Sequence, residues 1–144
     1  MAATVIMVVE DDAHTLSGYL ELLTDAGFRP RGVSNGDDAL RVALEDPPAA
    51  LITDISLPGM DGFALSAALH DEARTMHLPI IGLTGHWDVD VRTKGAACGM
   101  RAVLVKPCMP GHLIGELQRL FTTVSPQPPA GTCTAAASSP QTAT

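Results

Sequence analysis

The segment AALITDISLPGMDG, residues 49–62, gives the clearest indication of the architecture of this chain. It begins as an apolar run at residues 49–53 that is typical of a buried strand. It ends on the carboxylate of Asp54, and the chain then turns at Pro58 and Gly59. An acid at the end of a strand is often only a turn residue or a helix cap. Open α/β sheets also place their functional sites there, at the carboxyl ends of parallel strands. The segment alone leaves both interpretations open.

Similar apolar segments recur through the chain, and each is followed by a pattern typical of a helix. Strands are predicted at residues 4–9, 28–34, 49–53, 78–84 and 102–106, and helices at 12–26, 37–46, 63–73, 89–98 and 110–122. Pro30 and its two neighbouring arginines indicate an edge position for the second strand. Gly95 makes the fourth helix the weakest of the five. Alternation of this kind predicts a parallel sheet with helices on both faces, joined by right-handed crossovers.

The composition indicates one globular domain followed by a polar tail. A length of 144 residues suits a single domain, and a hydrophobic content of 46% is enough to build its core. We expect the domain to occupy residues 1–122. Residues 123–144 are rich in Pro, Ala, Ser and Thr and contain no charged residue. We expect this tail to be disordered, because it has too little apolar surface to offset the entropy of ordering it.

Charge and cysteine content exclude several classes of function. The net charge is −7 and the only lysines are Lys94 and Lys106, which argues against a direct nucleic-acid partner. The three cysteines are odd in number and form no C-x-x-C pair, which predicts reduced thiols and argues against a disulfide framework or a zinc site. The sequence has no apolar run of membrane-spanning length. We therefore expect a cytoplasmic protein with no membrane partner.

Polar residues follow four of the five predicted strands, and a parallel sheet would bring them to one edge. They are Glu10, Asp11 and Asp12 after the first strand, Asp54 after the third, Thr84 at the end of the fourth and Lys106 at the end of the fifth. Each has an ordinary explanation by itself, as a helix cap, a strand residue or a solvated lysine. Their coincidence on one edge favours a functional site.

This set of groups suits the transfer of a phosphoryl group to a carboxylate. Clustered carboxylates repel one another and favour a hard divalent cation such as magnesium, which takes oxygen ligands. Asp54 can act as the nucleophile and form an aspartyl phosphate. The cation and Lys106 would neutralise charge on the phosphoryl group, and the hydroxyl of Thr84 can bond to one of its oxygens.

Four segments of the sequence together resemble the response regulator receiver domain of two-component signalling. They are VVEDD (8–12), LITDISLPGMDG (51–62), IIGLTG (80–85) and LVKP (104–107), and the resemblance covers residues 4 to about 122. It implies a flavodoxin-like, doubly wound (βα)5 fold with a five-stranded parallel sheet in the order 2-1-3-4-5. It also implies two helices on one face of the sheet and three on the other.

The resemblance also implies how the site works. Asp54 would take a phosphoryl group from a histidine kinase or a histidine phosphotransfer protein. Magnesium would be bound directly by Asp11, through water by Glu10, and by Asp54 and the main-chain carbonyl of Ser56. The phosphorylated domain would then change its binding to a downstream protein partner that the sequence does not identify.

The remaining positions of the family motif are matched with one exception. Thr84 matches the switch hydroxyl, and Lys106 matches the lysine, with a cis bond to Pro107 expected from the family. Asp12 lies one place beyond the acidic pair and is better interpreted as a helix cap. The exception is Val103, where the family usually has an aromatic residue that moves with the threonine. We therefore expect the signal to leave the site by another route.

Two other functions fit parts of this sequence less well. A phosphatase with an aspartate nucleophile needs a second acid two residues later, and that residue here is Ser56. A flavodoxin-like cofactor carrier needs a phosphate-binding loop after the first strand, which the sequence lacks. We expect a signalling switch rather than an enzyme. Whether it acts alone or as the terminal receiver of a hybrid kinase stays open.

The histidines and cysteines are predicted to have no catalytic role. His14, His70, His77 and His112 are expected at the surface, because the sequence suggests no partner for them. His86, Asp88 and Asp90 are interpreted as a loop and helix start, because they offer too few ligands for a metal site.

Overall fold

Five strands and five helices alternate along the residues that the computed structural model describes, which are 4–85, 89–106 and 110–122. In chain order they are β1 Val5–Val9, α1 Ala13–Asp25, β2 Arg29–Val33, α2 Gly36–Glu45, β3 Ala50–Asp54, α3 Gly62–His70, β4 Ile80–Thr84, α4 Val89–Ala97, β5 Ala102–Val105 and α5 Pro110–Thr122. The predicted loop at residues 86–88, the cis bond to Pro107 and the tail at 123–144 lie outside the described residues.

The five strands form one parallel sheet in the order β2-β1-β3-β4-β5. This confirms the doubly wound fold and the strand order that the sequence predicts. It also places β2, which contains Pro30, at an edge of the sheet. A proline cannot donate a ladder hydrogen bond, so an edge is where a strand tolerates it. The central strands β3 and β4 are buried along their whole length, as expected of strands covered by helices on both faces.

The sheet separates two hydrophobic layers. Helices α1 and α5 cover one face, where Leu23, Leu113 and Leu117 are fully buried. Helices α2, α3 and α4 cover the other face and bury such residues as Ala39 and Leu65. Successive residues of a strand point to opposite faces, so β1 contributes alternately to the two layers. Two helices on one face of the sheet and three on the other match the prediction. No helix among the described residues is both long and apolar enough to cross a membrane.

The predicted and observed boundaries differ most for α3, which is predicted to reach residue 73 but ends at His70. A continuing helix would use the carbonyl of Leu69 to accept from the amide of Ala73. The buried hydroxyl of Thr75 instead donates to that carbonyl at 2.6 Å. The side chain of Thr75 thus stabilises a turn in place of a further helical turn. Strand β4 begins at Ile80 rather than 78, directly after Pro79, which has no amide hydrogen.

Helix α4 lies unusually close to the sheet at Gly95. A Cβ at this buried glycine would lie 2.7 Å from Cγ2 of Val103 and 3.3 Å from the sulfur of Met100. Met100 fills the space between Gly95 and Gly82 of β4, where a Cβ would lie 2.7 Å from the same sulfur. The weak helix former at position 95 is therefore required by close packing, which the sequence pattern does not reveal.

Replacing Gly95 by alanine is expected to destabilise the protein, although alanine is the better helix former. The methyl group would meet Val103, whose branched side chain has little freedom to move aside. We expect a loss of about 1–3 kcal/mol, as for other overpacked cores. Gly18→Ala in α1 is the matched control, because no atom lies within 4 Å of its Cβ position. It should gain about 0.5–1 kcal/mol from helix propensity. Urea denaturation of both variants measures the difference, and a stabilised Gly95→Ala would contradict the close packing.

Candidate functional site

The predicted site residues meet at the carboxyl edge of the sheet. Glu10 follows β1, Asp54 ends β3, Thr84 ends β4 and Lys106 follows β5. Glu10, Asp54 and Thr84 are almost completely buried, at 3%, 7% and 7% exposure. Polar side chains are rarely covered to this extent unless they are paired. The parallel sheet therefore brings together residues that are as many as 96 positions apart in sequence.

Three carboxylates form a cluster that could hold a cation. One oxygen from each of Glu10, Asp11 and Asp54 lies within 4.8 Å of the others. Asp11 is exposed, while Glu10 and Asp54 are buried. An all-oxygen donor set with one open side fits magnesium, which keeps several of its waters. The residues present therefore fit the cation that the sequence predicts.

Lys106 connects two of these carboxylates. Its ammonium nitrogen lies 3.0 Å from Oε1 of Glu10 and 3.1 Å from Oδ2 of Asp54. The amide of Lys106 donates to the carbonyl of Thr84 at 2.7 Å, which fixes the end of β5 against β4. One cation thus joins the ends of β1, β3 and β5.

Burial and pairing shift the pKa values of this pair. Burial raises the pKa of Glu10, and hydrogen bonds from Lys106 and the Asp12 amide only partly offset that effect. Burial alone would lower the pKa of Lys106. Hydrogen bonds to Glu10 and Asp54, together with their charges, outweigh burial, so the pKa of Lys106 is raised.

Both pKa values are raised, but the shift favours the charged form of Lys106 and disfavours the charged form of Glu10. The difference in their exposure explains why. The rise at Lys106 means that its partners hold the ammonium, which is 24% exposed and has two acceptors. The rise at Glu10 means that burial of its carboxylate, 4% exposed, outweighs an ammonium shared with Asp54. Lys106 therefore stabilises the fold below the ordinary lysine pKa, and this contribution is lost as the pH rises through its raised value. Charged Glu10 destabilises the metal-free fold, and that effect decreases as the pH falls from its raised pKa towards the ordinary glutamate pKa.

The loop after β3 is held tightly around Asp54. The amide of Ser56 donates to Oδ1 of Asp54 at 3.3 Å, and the amide of Ile55 donates to the carbonyl of Leu83 at 2.9 Å. Gly62 begins α3 with no room for a side chain, since its Cβ would lie 2.7 Å from the carbonyl oxygen of Asp54. The two oxygens of Asp54 thus have different partners, Ser56 for one and Lys106 for the other. The role of the Ser56 carbonyl stays a prediction.

Asp12 is the cap of α1, as its position in the sequence suggested. Its carboxylate accepts from the amide of Thr15 at 2.8 Å and from the hydroxyl of Thr15 at 2.6 Å. These hydrogen bonds to the charged form lower the pKa of Asp12. Its own amide donates to Oε2 of Glu10 at 3.2 Å. Asp12 therefore helps to orient Glu10 through its backbone, a contact that sequence reasoning missed.

Two of the other residues considered from the sequence are also placed. Val103 is partly buried and packs with the layer formed by α2, α3 and α4, so it is a packing residue here. The prediction that His70 is a surface residue is wrong. His70 is partly buried, with Nδ1 at 3.0 Å from the carbonyl of Ser66, one turn earlier in α3. Gly99 lies so close to the imidazole ring of His70 that it has no room for a side chain, and no sequence signal would have indicated that contact.

His14, His77 and His112 are exposed, as expected. Burial raises the pKa of the Cys98 thiol, which is the reverse of what an activated cysteine needs. Cys108 and Cys133 lie outside the described residues.

The family model described as the response regulator receiver domain matches residues 6–118. The chain belongs to this family. Among curated proteins, the receiver domain is 36% identical over 113 residues to the transcriptional regulatory protein HprR of Escherichia coli K12, and it covers 78% of this chain and 49% of that protein. The chain thus spans about half the length of this relative.

Solved receiver domains have the same fold. The chemotaxis protein CheY4 of Vibrio cholerae matches with a TM-score of 0.78 and 29% identity, over 82% of this chain and 98% of that one. The receiver domain of the sensor histidine kinase PA1611 from Pseudomonas aeruginosa PAO1 matches with a TM-score of 0.79 and 28% identity, over 85% of this chain and all of that one. That structure has a magnesium ion coordinated in its active-site cleft. The acidic cluster of this receiver domain provides a comparable possible metal site.

Replacing Lys106 by methionine should raise the pKa of Glu10 further in the metal-free protein. Methionine keeps the aliphatic stem but removes the hydrogen bond and the positive charge that lower this pKa. The free energy of unfolding should fall at neutral pH, and the gap to wild type should narrow in mild acid, because protonated Glu10 needs no counter-ion. Carbon-13 NMR titration of the Glu10 carboxyl measures the shift.

Arg119→Met is the matched control, because it removes an exposed pair with Glu116, 3.1 Å long, on α5. It should leave the titration of Glu10 unchanged and alter stability by less than about 1 kcal/mol. A Glu10 pKa that stays constant or falls in Lys106→Met would contradict the assigned role of the ammonium.

Proposed function

We propose that this receiver domain is a phospho-accepting signalling switch. Asp54 takes a phosphoryl group from a phosphohistidine of a sensor kinase or a histidine phosphotransfer protein, in a magnesium-dependent step. The observation that carries this proposal is the position of Asp54, within 4.8 Å of the carboxylate oxygens of Glu10 and Asp11 and 3.1 Å from the ammonium of Lys106. Such a carboxylate is both a nucleophile and the centre of a charge-neutralising cluster.

The proposed step is an in-line transfer of the phosphoryl group to Asp54. One carboxylate oxygen forms a bond to phosphorus while the bond from phosphorus to the imidazole nitrogen of the donor breaks, and the electron pair leaves with the imidazole. The Ser56 amide at Oδ1 and Lys106 at Oδ2 keep the carboxylate oriented before transfer. Magnesium, held by Asp11, Asp54, the Ser56 carbonyl and, through water, Glu10, would neutralise charge on the phosphoryl oxygens.

The signal would leave the site through β4 and α4. Thr84 ends β4. Its hydroxyl would bond to a phosphoryl oxygen once one is present, and Val103 offers no ring that could follow this movement. The contact of α4 with the sheet at Gly95 is a packing contact with Val103. A shift of the β4–α4 connection would then change the surface that α4 offers to a protein partner.

The extent and location of the switch follow from the same reasoning. We assign residues 1–122 to the receiver domain, consistent with the family match over 6–118, and residues 123–144 to a disordered tail. We place the switch in the cytoplasm, where its cysteines would stay reduced.

A phosphatase activity is disfavoured because Ser56 stands where a general acid would be needed. We expect slow autodephosphorylation only.

Asp54→Asn should abolish phosphoryl acceptance while the fold is retained. The amide has almost the same shape but is a poor nucleophile and a weaker ligand for magnesium. Stability of the metal-free protein should stay constant or rise slightly, because one of the three clustered carboxylates loses its charge and the repulsion among them falls. Mass spectrometry after treatment with acetyl phosphate and magnesium measures the adduct. Asp61→Asn is the control: it changes a nearby carboxylate that caps α3, and asparagine caps equally well. A full adduct on Asp54→Asn would exclude Asp54 as the acceptor.

Magnesium should stabilise the wild-type protein against heat, and Asp11→Ala much less. The cation binds the folded site and not the dispersed carboxylates of the unfolded chain, so the melting temperature rises with concentration above Kd. Differential scanning calorimetry at increasing millimolar magnesium measures this response. Asp12→Ala is the control, since it removes a neighbouring carboxylate that caps α1. Its melting temperature should start lower but rise as in wild type. Equal responses of all three proteins would contradict the metal assignment.

A further inference from the structure

The loop at residues 55–61 connects the candidate metal site to the layer formed by α2, α3 and α4. It carries Ser56, and the buried side chains of Ile55 and Leu57, each 7% exposed, anchor it. The chain reverses at Gly59, where φ is 75°. The amide of Gly62 donates to the carbonyl of Ile55 at 2.9 Å and closes the loop on the end of β3. A displacement of this loop would therefore move Ser56 relative to the carboxylates.

Helix α2 contacts this loop through the first residue of the helix, Gly36. A Cβ at this buried glycine would lie 2.6 Å from the carbonyl oxygen of Met60 and 3.1 Å from Cβ of Met60. Carbon atoms do not approach a backbone oxygen this closely, so any side chain at position 36 would force the helix or the loop to move. Rotation of the Met60 side chain could not relieve the contact, because the nearest atom belongs to the backbone.

Helix α2 is held more firmly than the loop at residues 55–61. Its first turn is fixed by Asn35, whose side-chain oxygen accepts from the amide of Asp38 at 2.8 Å. Ala39 and Ala43 on the same helix are fully buried against the sheet. Residues 55–61 belong to no helix or strand. A conflict at Gly36 would therefore be relieved by displacement of the loop.

We infer that Gly36 is a positioning residue for the metal site. Its missing side chain lets Met60, and with it the segment that carries Ser56, lie where the metal ligands converge. Gly36 touches neither the cation nor the phosphoryl group. The inference deepens the proposed function and rests on it, since it concerns the affinity of the same site for magnesium. Added bulk at position 36 weakens magnesium binding although every ligand is still present.

The test compares magnesium binding by the full chain of wild type and Gly36→Ala, using isothermal titration calorimetry. Gly36→Ala is expected to raise Kd about tenfold, the lower end of the range for changes to residues that support metal ligands. Hydrogen exchange of the amides at 55–61 in the metal-free protein should also be faster than in wild type. Leu23→Ala is the matched control, because its fully buried side chain lies in the opposite layer. It lowers stability but should keep the wild-type Kd.

Each outcome separates the inference from the function on which it rests. If wild type binds no magnesium, the proposed metal site is wrong. If wild type binds and Gly36→Ala binds equally well, or if Leu23→Ala loses as much affinity, the positioning role is overturned. Should Gly36→Ala fail to fold, the double variant Gly18→Ala/Gly36→Ala provides the second test, because Gly18→Ala is expected to stabilise α1 and its methyl group has no atom within 4 Å. An unchanged Kd in the double variant would overturn the inference.

Discussion

The single ammonium of Lys106, shared between Glu10 and Asp54, is the interaction on which the arrangement of the site depends. It joins the ends of three strands and pairs with two acids that lie side by side in a buried crevice. Carboxylates at this spacing repel one another, and burial strengthens the repulsion because the medium is less polarisable than water. One cation can balance only part of that charge. The metal-free site is therefore left with excess negative charge, which gives a divalent cation a reason to bind.

The sheet makes this cluster possible because it is parallel. Every strand ends at the same edge, so a residue needs only to follow its strand to reach the crevice. Burial in the two layers fixes the register of β1, β3 and β4, since a shift by one residue would turn every apolar side chain to the wrong layer. The position of Asp54 is thus specified by the core rather than by the polar groups around it. The site can carry unfavourable charge because the core provides most of the stability.

The sequence was sufficient to predict the fold and the members of the acidic cluster. Alternating strand and helix patterns predict the parallel sheet, and the position of Pro30 predicts an edge strand, because both depend on local chemistry. The close contacts at Gly36 and Gly95 could not be predicted in this way. A glycine in a sequence indicates freedom of the backbone, but here each glycine is required by a tertiary contact, with Met60 at Gly36 and with Val103 at Gly95. The contact between His70 and Gly99 escaped prediction because it too is a tertiary contact. The end of α3 depends on one hydroxyl, that of Thr75, which competes for a helical carbonyl.

The packing beneath α4 also has a mechanical consequence. Two side chains lie against Gly95: Val103, whose branched side chain is stiff, and Met100, whose unbranched thioether has several rotatable bonds. Helix α4 thus packs on one stiff side chain and one flexible side chain. A displacement of α4 toward the sheet would therefore meet more resistance at Val103 than at Met100. Valine at this position limits how closely the helix can approach the sheet there.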